Sequence, residues 1–250
     1  MDGIGATTVL VKGRLRARGA DGAGDLDRLL ALRALCFRGD GALSDRDDFD
    51  ALCEHVLIEE VETGTVVGGF RLRLYHGAAV LGSYSAQYYG LDRLSGFGAP
   101  MLELGRFCLH PDWHDADTLR LAWGAITRRV DGAGVGLLFG CSSFAGCEAA
   151  RYRDAFALLR QRHGAPEGWR PGVKAGEVVR FGDLPDGFDR LLALKALPAL
   201  LRTYLGMGGW VSDHAVVDRG LGTLHVFTGL EIGRVPAGRA RLLRAVASGT

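Results

Sequence analysis

Six charged side chains in the first half of the chain stand where apolar ones are expected. Residues 101–110 read MLELGRFCLH, the pattern of a buried strand interrupted by Glu103 and Arg106. Alternate strand residues share a face, so Met101, Glu103, Gly105 and Phe107 point one way and Leu102, Leu104, Arg106 and Cys108 the other. A carboxylate left alone in such a strand costs several kcal/mol or takes up a proton. Arg33 falls on the apolar stripe that Leu26, Leu29, Leu30 and Phe37 draw at helical spacing. Asp47 and Asp50 lie three apart in DRDDFD, and Arg71 sits between Phe70 and Leu72 in GGFRL. Three arginines and three carboxylates in half-buried places can neutralise one another. Together they would line a polar pocket in which a carboxylate such as Glu103 is able to move a proton. Bland readings stand beside this one: Glu103 and Arg106 as an ion pair bracing the sheet, Arg33 as a pair-maker, Asp47 and Asp50 as a solvated loop or helix cap.

The elements that must position these residues follow from periodicity. A strand is expected over 7–17, a helix from an Asp25 cap to Cys36, and a hairpin of strands 55–61 and 65–75 turning at Glu62–Gly64. The stretch after it reads as a loop with one helical turn, delivering the chain to the Glu103 strand. DADTLRLAWGAITRRV is a helix with Leu119, Trp123, Ile126 and Val130 on one face, and a strand runs from Val135 to Cys141. Helices are expected over 148–162 and 188–206, the second bent at Pro198, and two strands in the last third. The result is a mixed α/β sheet in one domain, residues 1–250, with a helical insertion around 148–206.

Bulk properties narrow the function classes. The chain has 250 residues, 48% hydrophobic and 24% charged, with a net charge of +1, so no basic field points to nucleic acid. Five cysteines form no CxxC pair, which suggests reduced thiols in the cytoplasm. Cys141, at the end of a buried strand, reads as packing more readily than as a nucleophile. His55, His110, His114 and His214 are dispersed without metal-ligand spacing, so no metal is expected. The most apolar late stretch, LLALKALPALL, is too short to span a bilayer, although peripheral contact with the inner membrane stays open.

The blocks LRALCFR, DRDDFD, TVVGGFRL, LELGRFCLHPDW, FGCSSFAG and LPALLRTYLGMGGWVSDHAVVD, in this order, resemble the bacterial L-ornithine N-acyltransferases. These are ornithine-lipid synthases of a GNAT-like family, often labelled hemolysins. The first four blocks also resemble the acyl-homoserine-lactone synthases. The resemblance covers about residues 8–230. It implies a GNAT-like acyltransferase fold with splayed central strands, and transfer of a 3-hydroxyacyl chain from acyl carrier protein to the α-amine of ornithine. No permanently bound cofactor is implied, because the acyl-phosphopantetheine arrives with the carrier protein.

Residue by residue, the resemblance places Glu103 as general base, with Arg106 beside it, and Tyr204 as donor to the leaving thiolate. It places Arg33, Phe37, Asp47, Asp50, Arg71, Cys141 and Ser142 at substrate-binding positions. Asp47 and Asp50 would hold the δ-ammonium of ornithine, and one of the arginines its carboxylate. One departure bears on the donor: where acetyl-CoA-dependent relatives carry a glycine loop for the pyrophosphate, this chain reads HPDWHDADTL. That sequence suits a donor with a single phosphate. Open alternatives are an acyl-homoserine-lactone synthase, acylation of glycine, lysine or glutamine, and a membrane-active hemolysin-like protein.

Overall fold

The structure, a computed structural model, describes residues 10–39, 44–113 and 115–248. In chain order the elements are β1 (Leu10–Lys12), β2 (Leu15–Gly19), α1 (Gly22–Arg38), β3 (Glu54–Glu60), β4 (Val66–Tyr75), β5 (Tyr89–Gly90), β6 (Met101–Leu109), α2 (Ala116–Gly132), β7 (Leu137–Ala145), α3 (Arg153–Arg162), β8 (Gly172–Val173), β9 (Val178–Arg180), α4 (Arg190–Ala196), α5 (Ala199–Gly206), β10 (Trp210–Val211), β11 (His214–Asp218), β12 (Thr223–Glu231) and α6 (Ala237–Ser248). This is a mixed sheet flanked by helices. The chain forms two compact units, one of Met1–Arg73, Leu104–Gly134 and Ala237–Thr250, the other of Leu74–Glu103 and Val135–Pro236.

In the first unit β1, β2, β3 and β4 run antiparallel in sequence order, with Ala17 opposite Ile58 and Val56 opposite Phe70. Helix α1 lies on this sheet because Gly69 leaves room for it: a Cβ there would stand 2.3 Å from Leu29 Cδ1 and 2.8 Å from the Val56 carbonyl. Helix α2 is capped by Asp115, whose carboxylate accepts the Asp117 amide at 2.8 Å. Helix α6 closes the unit against α2 through an Arg244–Asp131 ion pair and the Arg128 bond to the Ala247 carbonyl.

In the second unit β7 and β12 pair over nine residues, from Thr223 opposite Ala145 to Glu231 opposite Leu137. β11 continues from β12, and β9 from β11. Alternation along β12 sorts the core: Leu224 and Val226 join Phe144, Phe156 and Leu201 in one apolar cluster, while Phe227 joins Tyr89, Phe139 and Trp210 in another.

Several expectations are corrected in detail. The strand expected over 7–17 is a hairpin, β1 and β2, turning at Gly13 with φ +56°, and residues 7–9 lie outside the described residues, as does His114. Helix α1 starts at Gly22, so Asp25 sits in its first turn and accepts the Asp21 amide instead of capping from outside. The β7 strand continues four residues past Cys141. The bent helix over 188–206 is two helices, because Pro198 stands between α4 and α5. Helix α6 and the short strands β5, β8, β9 and β10 were not expected.

Candidate active site

The first unit holds a buried arginine–aspartate network. Arg33 projects from α1 fully buried, and donates through Nε to Asp45 Oδ2 at 2.9 Å and through Nη1 to Asp50 Oδ1 at 2.6 Å. It also reaches the Asp45 backbone carbonyl at 2.6 Å. Arg71, on β4, donates to Asp47 Oδ1 at 2.5 Å, Asp47 Oδ2 at 3.0 Å and Asp50 Oδ1 at 2.7 Å. Arg106, on β6, bonds Asp45 Oδ2 at 2.9 Å and Asp47 Oδ2 at 3.1 Å, and its guanidinium lies 5.9 Å from the Phe37 ring centre. Arg106 holds a φ of +50° within its strand, a left-handed conformation that interrupts the simple alternation of faces.

The third carboxylate of this network is Asp45, which sequence reasoning missed, in the place where Glu103 was expected. Asp45 lies two residues ahead of Asp47 in the same acidic run, so composition marked the segment but not which side chain turns inward. Asp50 has both oxygens engaged, Oδ2 by the Asp47 amide at 3.0 Å. Burial pushes the Asp50 carboxyl up, but the Arg33 bond, the Asp47 amide and Arg71 outweigh it and hold it at about 2. Of the network's carboxylates Asp47 is the most open, with 24% of its side chain exposed.

Glu103 lies in the second unit with a different set of partners. Its Oε1 accepts the Ser85 amide and the Ser85 hydroxyl, both at 2.7 Å, and its Oε2 accepts the Tyr84 amide at 3.1 Å and the Tyr75 hydroxyl at 3.2 Å. Four donors for two carboxylate oxygens answer the desolvation cost that the strand pattern raised. The Glu103–Arg106 brace is therefore replaced by two separate arrangements: donors of the 75–85 segment around Glu103, and aspartates around Arg106.

The remaining candidates also sit in the second unit. Cys141, on β7, donates to Ser85 Oγ at 3.5 Å, so thiol, hydroxyl and carboxylate form one chain of hydrogen bonds. Ser142 is buried and its Oγ accepts from Thr228 at 2.9 Å. Tyr204, on α5, is buried, and burial raises its phenol, which keeps its proton at neutral pH. Tyr75, Tyr84 and Ser85 were missed: Tyr75 closes the expected strand 65–75, where nothing distinguished its hydroxyl, and Tyr84 and Ser85 fall in the stretch read as loop, where no periodicity marks an inward side chain.

Comparison with known proteins places this arrangement. Residues 35–124 match the acetyltransferase (GNAT) domain family. The fold is similar to that of FeeM, an N-acyl amino acid synthase from uncultured soil microbes, with a TM-score of 0.52 and 9% identity over 89% of this chain and 94% of that one. The class is thus a GNAT-fold acyltransferase. An L-ornithine N(alpha)-acyltransferase of Rhodobacter capsulatus is 38% identical over 72% of this chain and 71% of that protein. One from Brucella abortus is 30% identical over 76% and 71%. The chain belongs to the L-ornithine N(alpha)-acyltransferase family.

Proposed function

We propose that this acyltransferase moves a 3-hydroxyacyl group from the phosphopantetheine thioester of acyl carrier protein to the α-amine of L-ornithine. Family membership supports the acceptor. The observation that carries the chemistry is Glu103, a buried carboxylate fixed in orientation by four donors.

In this reading the α-ammonium gives a proton to Glu103, and the free amine attacks the thioester carbonyl. Collapse of the tetrahedral adduct breaks the C–S bond, and the thiolate leaves with a proton supplied by Tyr204, which burial keeps protonated. The second proton, lost from the adduct nitrogen, restores that phenol, and Glu103 releases the first to solvent. Cys141 and Ser142 belong to the strand beside this chemistry. In the first unit Arg33, Arg71 and Asp50 hold Asp47 and Arg106 in place, and the proposal gives that network a structural role. Asp50, with both oxygens engaged, supports its neighbours and does not itself hold an ammonium.

The donor assignment is supported by the start of α2. Asp115 and Asp117 occupy the helix N-terminus, and Asp115 already caps it, which disfavours a diphosphate there. Leu191, Leu192 and Leu194 of α4 are exposed beside Arg190 and Lys195, which supports peripheral contact with an anionic membrane. Among the described residues no helix is long and apolar enough to cross a membrane.

The test is thiol release from 3-hydroxyacyl carrier protein, with and without L-ornithine, for the wild type, Glu103→Gln and Glu103→Asp, each checked for folding. Ornithine-dependent release that collapses in both folded variants is expected. Release that survives in both returns Glu103 to a structural role, and no release with any amino acid from folded wild type overturns the reading.

A further inference from the structure

Some 120 residues after Glu103 the second unit buries another polar group that the mechanism above does not use. His225, on β12, is 3% exposed, and Asp218, at the end of β11, is 8% exposed. Val216 pairs with His225 and Asp218 with Thr223, so strand alternation puts Asp218 and His225 on one sheet face as diagonal neighbours.

Hydrogen bonds fix the state of His225. The Tyr89 hydroxyl donates to the His225 backbone carbonyl at 2.8 Å and lies 3.1 Å from its Nδ1. A phenol has one hydrogen to give, so Nδ1 carries the ring proton and donates it to the Tyr89 oxygen. That assigns Nε2 as a bare acceptor, and Nε2 is buried with no hydrogen-bond partner among the described residues. Burial holds the imidazole at about 4, against the pull of Asp218, so it stays neutral at neutral pH. Asp218 spends Oδ1 on the Leu221 amide at 3.0 Å, while Oδ2 is likewise buried without a partner.

Two neighbouring acceptors, one of them anionic, both lack a donor. Leaving such groups buried and unpaired destabilises the fold, the charged one most. One water, with two O–H donors, satisfies both acceptors but leaves the buried carboxylate charge uncompensated, whereas an ammonium supplies the N–H donors and also neutralises the carboxylate. The surroundings connect this place to Glu103: the Tyr88 ring stands edge-on to His225 with centroids 4.8 Å apart, the Tyr88 and Tyr84 hydroxyls are 3.4 Å apart, and the Tyr84 amide donates to Glu103.

We propose that Asp218 Oδ2 and His225 Nε2 form the seat for the side-chain ammonium of the amino-acid acceptor, and so select a basic over a neutral amino acid. The inference rests on the acyl-transfer reading, and it moves the cation-holding role from Asp47 and Asp50 to residues with open lone pairs.

The experiment compares L-ornithine with L-norvaline, which has the same carbon chain without the δ-ammonium, in the thiol-release assay with 3-hydroxyacyl carrier protein. The proteins are wild type, Asp218→Asn and His225→Gln, with thermal melts recorded in each amino acid. Wild type is expected to favour ornithine at least 100-fold in kcat/KM, and each variant to shrink that ratio at least 10-fold through KM. Ornithine is expected to raise the wild-type Tm and not that of the variants. A ratio unchanged within threefold in a folded variant overturns the proposal and leaves a water-filled structural pocket. Absent turnover with a variant-sensitive ornithine shift would sink the acyl-transfer reading and keep the site; absence of both sinks both.

Discussion

Ser85 holds Glu103 twice on the same oxygen, by its amide and by its hydroxyl, each 2.7 Å from Oε1. One residue therefore supplies half the donors that fix the carboxylate, and its hydroxyl is the half that a side-chain substitution removes. A hydrogen bond to a charged group contributes roughly 1.5–3 kcal/mol.

For this reason Ser85→Ala is expected to lower kcat for thiol release roughly 10- to 100-fold with little change in KM. Ser85→Thr should restore most of it. Equal activity of Ala and wild type would make the hydroxyl irrelevant to Glu103, whatever happens to the melting temperature.

The arginine–aspartate network gives a second prediction. Arg33→Met leaves Asp45 and Asp50 buried without a main partner, and breaking a buried pair from one side costs about 3–5 kcal/mol. Combining it with Asp45→Asn should recover part of that loss. Urea denaturation of both variants checks this, and strictly additive effects would contradict a shared network.

Acid should weaken the protein in two stages. His225 is buried neutral and held at about 4, below its ordinary 6.5, with Asp218 and His214 acting on it in opposite senses. Between those values the unfolded chain takes up a proton that the folded one refuses. Stability should therefore fall as pH drops from 6.5 to 4, by a few kcal/mol in order of magnitude. Asp50, held at about 2 against an ordinary 3.8, contributes stability above that range which is lost as pH falls toward 2. Denaturation curves from pH 7 to 4 for wild type and His225→Gln check the first stage; the variant should show a flatter dependence.

Gly69→Ala should destabilise by about 1–3 kcal/mol, because the new methyl meets both Leu29 and the Val56 carbonyl. The backbone carbonyl cannot move aside without disturbing the β3–β4 ladder. Pairing the change with Leu29→Ala relieves only the side-chain part, so thermal melts of the single and double variants separate the two contacts.

How much of this was legible in the sequence depends on which signal each residue left. Arg33 and Arg71 were readable because each breaks an apolar pattern, on a helix stripe and in a strand, and both are buried. Glu103 was readable as an anomaly, but its partners were not, since Tyr84 and Ser85 donate through backbone amides that any residue type carries. Asp45 was hidden inside a run of aspartates whose spacing does not say which one turns inward. Asp218 and His225 were invisible as a pair because only the β11–β12 register brings them to one face. The GNAT-like fold was legible through ordered blocks of residues rather than through periodicity, which placed long elements well and missed the two-residue strands and α6.

Helix α6 has a consequence for how the protein is made. It is formed by residues 237–248, yet it closes the unit that begins the chain, through Asp131 and Arg128. On the ribosome the first unit must wait, with this face of α2 uncovered, until more than a hundred residues of the second unit have emerged. The second unit has all its strands in hand by residue 231 and is free to fold ahead of it. Order of synthesis and order of completion are thus reversed between the two units, and a helix translated after the second unit is the one that finishes the first.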